Sequence, residues 1–272
     1  MPELPEVETI RRDLDRLVKG LTIVDTQIND PRVIRQGAKA FMAAVRGKRI
    51  VAVGRRGKAL ILDLGGSFLV VQPMMTGQLV AVPAARKFVP ARDARVIFAL
   101  SKKTTLVYND QRLFGRLEVV RSLNDHAHIR KLGPEPLTKD FSVAGFVAAL
   151  GKRRTPVKPL LLDNRLVAGI GNIYASESLF AAGIHPDRRA CSLSEVEAKK
   201  LFEAIRAVLA LAVKLRGTSM RNYRDGKGRE GKFQKVIKVY GRDGKPCGRC
   251  GAEISRIVQS QRSTFFCGKC QT

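Results

Sequence analysis

Tryptophan is missing from this chain, and aromatic residues make up only 6% of it, so its cores rest on the aliphatic part of a 44% hydrophobic composition. Equally missing is any apolar run near the ~20 residues of a membrane-spanning helix. The first residues are acidic and periodic rather than basic and apolar, which argues against a signal peptide and for a cytoplasmic or nucleoid location. No internal repeat or low-complexity tract is evident. The most telling shortage is of acidic side chains: 24 Asp and Glu stand against 50 Lys and Arg, a formal net charge of +26. Such an imbalance points to a polyanionic partner, above all nucleic acid. The 272 residues suffice for two domains, or one large one with an appendage.

Against this background the opening Met1-Pro2-Glu3-Leu4-Pro5-Glu6 carries chemistry. Initiator methionine is normally removed ahead of a small residue, which would leave Pro2 first and its nitrogen a secondary amine. A primary amine condenses with an aldehyde to an imine that can lose its proton. A secondary amine gives an iminium with a fixed positive charge, a standing electron sink for breaking neighbouring bonds. A free α-amine titrates at about 7.7–8.0, so a fraction is nucleophilic at neutral pH. Glu3 and Glu6 stand beside it as proton carriers. Taken alone, the segment also fits a terminus merely stiffened by its prolines.

Leu4, Val7, Ile10, Leu14, Leu17 and Val18 recur at helical spacing, with Pro5 in the first turn and Gly20 as the stop. This helix aims its positive end at Pro2, which disfavours protonation there. From 22 to 120 the pattern changes to short β-branched runs (60–64, 68–71, 96–100, 105–107) joined by tight turns, as in an antiparallel sandwich. Leu132-Gly133-Pro134-Glu135-Pro136-Leu137 breaks both periods and reads as a linker. Residues 158–180 hold two apolar helices around the glycine-containing turn 164–172, whose amides could hold a phosphate. Ser194-Glu195-Val196-Glu197 is a capping box opening a long helix. Residues 214–238 carry Lys214, Arg216, Arg221, Arg224, Lys227, Arg229, Lys232, Lys235 and Lys238 against Asp225 and Glu230. With Gly217, Gly226, Gly228 and Gly231, this reads as a mobile basic loop near a nucleic-acid backbone, or as a solvated linker.

Cys247-x2-Cys250 and Cys267-x2-Cys270 are two thiolate knuckles separated by sixteen residues, room for a hairpin. Four thiolates with no open position fit one structural zinc ion, with iron or a redox dithiol as the alternative. Residues 254–258 and 264–266 read as the hairpin strands, with Gln259-Ser260-Gln261-Arg262 at the tip, where the arginine is a rigid phosphate probe. Cys191 is left over as a spectator thiol.

Residues 1–10, Gly57-Lys58, Asp110-Gln111-Arg112-Leu113-Phe114-Gly115, residues 132–137, residues 158–180 and the four-cysteine tail follow one another as in bacterial formamidopyrimidine-DNA glycosylases, and the chain closely resembles that family. Pro2-Glu3-Leu4-Pro5-Glu6 resembles this branch more than the sister endonuclease VIII branch, where Gly usually replaces the Leu. The resemblance implies an α+β multidomain fold. Residues 1–131 would hold the catalytic helix and β-sandwich, 132–155 a linker and the start of the helical domain. Residues 156–236 would form a helix–two-turn–helix domain with a lesion loop at 217–233, and 237–272 the zinc finger. It implies a monomer acting on double-stranded DNA that carries an oxidised base or an abasic site, with no membrane role. Oxidised purines are excised, and the abasic site is then cut by β- and δ-elimination.

By the same resemblance Pro2 is the nucleophile, Glu3 (with Glu6 beside it) an acid/base at the sugar, and Lys58 a proton donor in β-elimination. Arg262 acts in δ-elimination and phosphate binding. The target nucleotide must be flipped out of the duplex, and Met75, Arg112 and Phe114 fit the residues that plug the gap. Without the resemblance Phe114 reads as core. Asn172 and Arg153 match DNA contacts. Two segments depart from the family. Gln72-Pro73-Met74-Met75-Thr76-Gly77 replaces the usual His-Leu-Gly-Met-Ser-Gly, leaving Met74 and Met75 as rival plugs. Asp93 replaces a DNA-binding histidine, with Arg92 or Arg95 as substitutes. Two other readings stand beside the leading one: the same chemistry on oxidised pyrimidines, and a catalytically silent DNA-binding zinc protein.

Overall fold

The computed structural model describes residues 2–86, 89–220, 223–226 and 229–272. The chain divides into two compact units: Met1–Arg130 with Leu215–Lys232, and Lys131–Lys214 with Phe233–Thr272.

The N-terminal unit opens with α1 (Leu4–Val18). β1 (Ile23–Ile28) and α2 (Ala38–Val45) follow, then β2 (Ala52–Arg56), β3 (Ala59–Asp63) and β4 (Phe68–Gln72). β5 (Gln78–Val82), β6 (Ala94–Leu100), β7 (Thr104–Asn109) and β8 (Arg116–Val120) complete it. Two four-stranded sheets form, ordered β1-β6-β7-β5 and β2-β3-β4-β8, with every pairing of neighbouring strands antiparallel. The alternation expected of a sandwich is there: Leu79 and Ala81 of β5 are buried while their neighbours are half-exposed. α1 inserts Val7, Ile10, Leu14 and Val18 into the same core as Leu60, Leu62, Leu69 and Val71 of one sheet and Val96, Phe98 and Leu106 of the other. Burying a Leu or Val in such a core is worth roughly 1.5–3 kcal/mol, so the helix that carries the Pro2-Glu3 end is fixed along its length.

The other unit contains α3 (Val143–Gly151), α4 (Val157–Leu161), α5 (Asn172–Ala182), α6 (Glu195–Lys214), and the hairpin of β9 (Ser255–Gln259) and β10 (Arg262–Phe266). The expected linker is laced to the turn after α4: Gly133 N–H donates to Asn164 O at 2.9 Å and Ala168 N–H to Pro134 O at 3.0 Å. A Cβ on Gly133 would fall 2.3 Å from Arg165 O, so only glycine permits that approach. Ser194 and Glu197 form the expected cap of α6, with Ser194 N–H 2.8 Å from Glu197 Oε2. The basic loop, expected with the helical domain, groups with the N-terminal unit instead, because Arg216 and Thr218 bond to α1. Its Arg221 and Lys227 lie outside the described residues, as does Met1.

Candidate active site and nucleic-acid interface

Pro2 is buried immediately before α1, and Glu3 is its N-cap. Glu3 and Glu6 make a reciprocal capping box, in which Glu6 Oε2 accepts the Glu3 N–H at 2.8 Å. The other Glu6 oxygen accepts the Thr218 N–H at 2.7 Å. Glu6, 2% exposed, therefore holds backbone with both oxygens. That geometry fits positioning of the terminus, and the reciprocal box engages the Glu3 carboxylate with the Glu6 N–H as well.

Lys58 occupies the two-residue turn of the β2–β3 hairpin and is half-buried. Gly57 takes φ +56° there, a left-handed first position that such turns reserve for glycine. A charged chain ties this turn to α1: Arg55 Nη1 donates to Gly57 O at 2.9 Å, while Arg55 Nε meets Glu8 Oε2 at 3.2 Å. Burial pushes the Glu8 carboxyl up, but Arg11, Arg12 and Arg55 outweigh it and hold the group below the usual carboxylate range. Neither Glu8 nor Arg55 was singled out from sequence; their only signal was a position beside a motif residue.

Met75, Arg112 and Phe114 come together. The Arg112 guanidinium lies 4.8 Å from the Phe114 ring centroid, and its Nη1 is 3.4 Å from Met75 Sδ. Phe114 is 45% exposed, so it is no core residue. Met74 is 41% exposed and takes φ +52°, and only Met75 of the two has a described contact to Arg112. Beneath them Asp110, fully buried, accepts from Thr76 Oγ1 at 2.5 Å, Arg112 N–H at 3.2 Å and Gly115 N–H at 2.8 Å. One carboxylate thus fixes both loops. Asp93 is half-exposed, and its carbonyl accepts the Asp110 N–H at 2.9 Å. Arg95 Nε donates to Asp110 O at 2.8 Å, whereas Arg92 is exposed.

In the other unit Asn172 begins α5, and its Nδ2 donates to Ser263 O at 2.9 Å. Lys158, 1% exposed, donates to the same carbonyl at 3.2 Å and to Thr264 Oγ1 at 2.7 Å. Both pin the backbone next to Arg262, which is exposed at the start of β10 after the left-handed pair Ser260 and Gln261. Arg153 is exposed beyond α3 and lines a groove of about 580 Å³ with Lys152 and Arg165. The four cysteine sulfurs lie within 4.8 Å of one another. Cys250–Cys267 and Cys247–Cys270 are 3.5 and 3.9 Å apart, close to the ~3.8 Å edge of a tetrahedron with 2.3 Å zinc–sulfur bonds. The residues fit one structural zinc ion. Glu177 anchors the root of this module, accepting the N–H groups of Lys238, Val239 and Tyr240 at 2.8, 2.9 and 2.9 Å.

Three family models match in succession: the formamidopyrimidine-DNA glycosylase N-terminal domain over residues 1–117, its H2TH domain over 132–224, and a zinc finger found in FPG and IleRS over 244–272. The chain belongs to the formamidopyrimidine-DNA glycosylase family. It is 46% identical over 279 residues to the formamidopyrimidine-DNA glycosylase of Heliobacterium modesticaldum, covering all of both chains. It is 48% identical over 280 residues to that of Chloroflexus aggregans, covering 100% of this chain and 98% of the relative. Among solved structures, the MutM (Fpg) protein of Thermus thermophilus matches with TM-score 0.90 at 43% identity, covering 99% and 98% of the two chains. The Lactococcus lactis Fpg bound to DNA containing an abasic site matches with TM-score 0.92 at 35% identity, covering 99% of each. Within the family, the expected α+β fold and single structural zinc agree with these matches. No helix among the described residues is long and apolar enough to cross a membrane.

Proposed function

We propose that this protein is a bifunctional glycosylase and abasic-site lyase of base excision repair, acting on oxidised purines in duplex DNA, with Pro2 as its nucleophile. The supporting observation is the buried Pro2-Glu3 start of α1, held in place through Glu6. The freed Pro2 nitrogen attacks C1′ of the flipped nucleotide, and the bond from C1′ to the base breaks as the base leaves with a proton. Ring opening of the sugar leaves an iminium between Pro2 and C1′. Its charge acidifies the 2′ hydrogen, so loss of that proton expels the 3′ phosphate. A second elimination expels the 5′ phosphate, and hydrolysis returns the amine. Glu3 moves protons at the sugar, Lys58 serves β-elimination, and Arg262 serves δ-elimination and binds phosphate.

Met75, Arg112 and Phe114 fill the gap in the stack, a wedge that unstacking requires. Asn172, Arg153 and the excess positive charge bind the backbone, and the reading places the protein at the bacterial nucleoid. Lactococcus lactis Fpg has been crystallised with DNA containing Fapy-dG, a ring-opened purine lesion. The competing assignment to pyrimidines has less support from the family match. Borohydride trapping on an 8-oxoguanine duplex tests the mechanism. A covalent protein–DNA adduct is expected from protein starting at Pro2. Protein that retains Met1 or an N-terminal tag should lose trapping and cleavage by roughly a thousandfold while still binding DNA. Cleavage by the blocked protein would defeat the terminal-amine reading.

A further inference from the structure

We propose that Met74 is a fourth wedge residue, standing with Met75, Arg112 and Phe114 in the gap that a flipped nucleotide leaves, and that its strained backbone is retained for that contact. The proposal rests on the glycosylase reading above, and every group in the wedge belongs to the N-terminal unit.

Seven residues other than glycine take left-handed φ among those described: Met74, Lys102, Lys103, Leu113, Arg216, Ser260 and Gln261. A side chain disfavours that conformation, which persists where the surroundings over-determine it. For six of the seven the surroundings account for it. Lys102-Lys103 and Ser260-Gln261 form the tight turns of the β6–β7 and β9–β10 hairpins, where positive φ at both central residues matches the strand twist. Leu113 packs against the core. Arg216 is ion-paired to the buried carboxylates of Asp13 and Asp225. Met74, at φ +52°, has no such support among the described residues. Its side chain is 41% exposed, and the strands on either side, β4 and β5, belong to different sheets, so no hairpin imposes the turn.

The turn is pinned at its ends instead. Pro73 and Gly77 are buried, and Gly77 N–H donates to Pro73 O at 2.9 Å. A Cβ on Gly77 or on Gly115 would collide with the buried Tyr108 hydroxyl, so one group abuts both wedge loops. Thr76 is tied to Asp110, which also accepts the Gly115 N–H. A turn closed this tightly calls for glycine at position 74, which reaches positive φ at no steric cost. The chain places there a long apolar side chain and turns it outward beside Met75. Exposed arginine or lysine would suit phosphate; two thioethers and a phenyl ring suit stacked bases, and apolar wedges between base steps hold such gaps open. Methionine adapts through three rotatable bonds, so Met74 can follow the stack while Met75 stays on Arg112.

The test compares full-length, zinc-loaded protein with Met74→Gly, Met74→Leu and Phe114→Ala. Single-turnover excision of 8-oxoguanine from a paired duplex is set against cleavage of a preformed abasic site in single-stranded DNA, which has no duplex stack to fill. Met74→Gly should raise the melting temperature by about 2–4 °C as the strain is released. It should nevertheless slow duplex excision about tenfold, with single-strand cleavage within about twofold of the parent. Met74→Leu keeps the apolar bulk and should hold duplex excision within about threefold of the parent. Four results overturn the proposal: a lowered melting temperature in Met74→Gly, unchanged duplex excision, equal losses on both substrates, or a Met74→Leu no better than Met74→Gly. Phe114→Ala tests the wedge itself. If it leaves duplex excision intact, the wedge reading fails, whereas a loss there with none in Met74→Gly discards Met74 alone. A parent protein inactive on both substrates would fail the glycosylase reading instead.

Discussion

The N-terminal unit and the zinc module of the other unit hold their functional side chains by opposite means. In the N-terminal unit the Pro2-Glu3 end rides on a helix whose apolar face joins a core of 25 buried residues among those described, and carboxylates do the fine placement. The zinc module has a core of only six residues, two of them metal-site cysteines and one, Phe180, borrowed from α5. So few apolar groups cannot offset the entropy of ordering a hairpin. A large core leaves charged groups free to tune geometry, whereas a small one makes metal and buried polar anchors responsible for the fold itself.

Removing the metal should break the comparison most visibly. Structural zinc supplies about 10–16 kcal/mol of apparent binding free energy in small zinc modules. Chelation, or Cys267→Ser, should therefore unfold the hairpin that carries Arg262 while the β2-β3-β4-β8 sheet stays intact. Hydrogen exchange checks this directly: amide protection should vanish across 255–266 and persist across 59–72. Unchanged protection of the hairpin in chelator would show that its packing suffices without metal.

A smaller effect should come from the polar anchor of the same module. Glu177 is 4% exposed, and burial pushes its carboxyl up against the lowering pull of the Tyr240, Lys238 and Val239 amides. Truncation in Glu177→Ala leaves the buried Val239 amide unpaired, at roughly 1–3 kcal/mol, while the part-buried Lys238 and Tyr240 amides can turn to water. A loss of about 2–3 kcal/mol is expected, measured by denaturant unfolding of zinc-loaded protein. A loss below about 1 kcal/mol would mean that water replaces the carboxylate.

These anchors also mark where sequence reading stopped. The terminus, the two cysteine pairs and the sheet runs were legible because each is local: a motif, a spacing or a period of two. Phe114 was legible only through resemblance, since an aromatic after a strand normally packs inward. Glu177, Asp110, Asp13 and Asp225 passed unremarked as anchors because a lone acidic residue in a very basic chain looks like a solvated surface group. Burial and a distant partner make it structural, and neither is written in the neighbouring residues. The basic loop shows the same limit. Its charges were visible, but that Arg216 turns inward to buried Asp13 depends on a contact 203 positions apart in the chain.

The smallest effect expected is on pH dependence in the N-terminal unit. Glu8 is held below its ordinary value of 4.5, where burial raises it and Arg11, Arg12 and Arg55 lower it further. A depressed folded-state value means the group stabilises the fold above the unfolded value and loses that contribution as pH falls through the folded one. Glu8→Gln should therefore lower stability by about 1 kcal/mol near neutral pH, with the gap to the parent narrowing once pH drops below 4.5. Hydrogen exchange of β2 and β3 at several pH values would report on this unit without interference from acid release of zinc at the thiolates. A gap that stayed constant into acid would assign the Glu8–Arg55 contact to packing rather than charge.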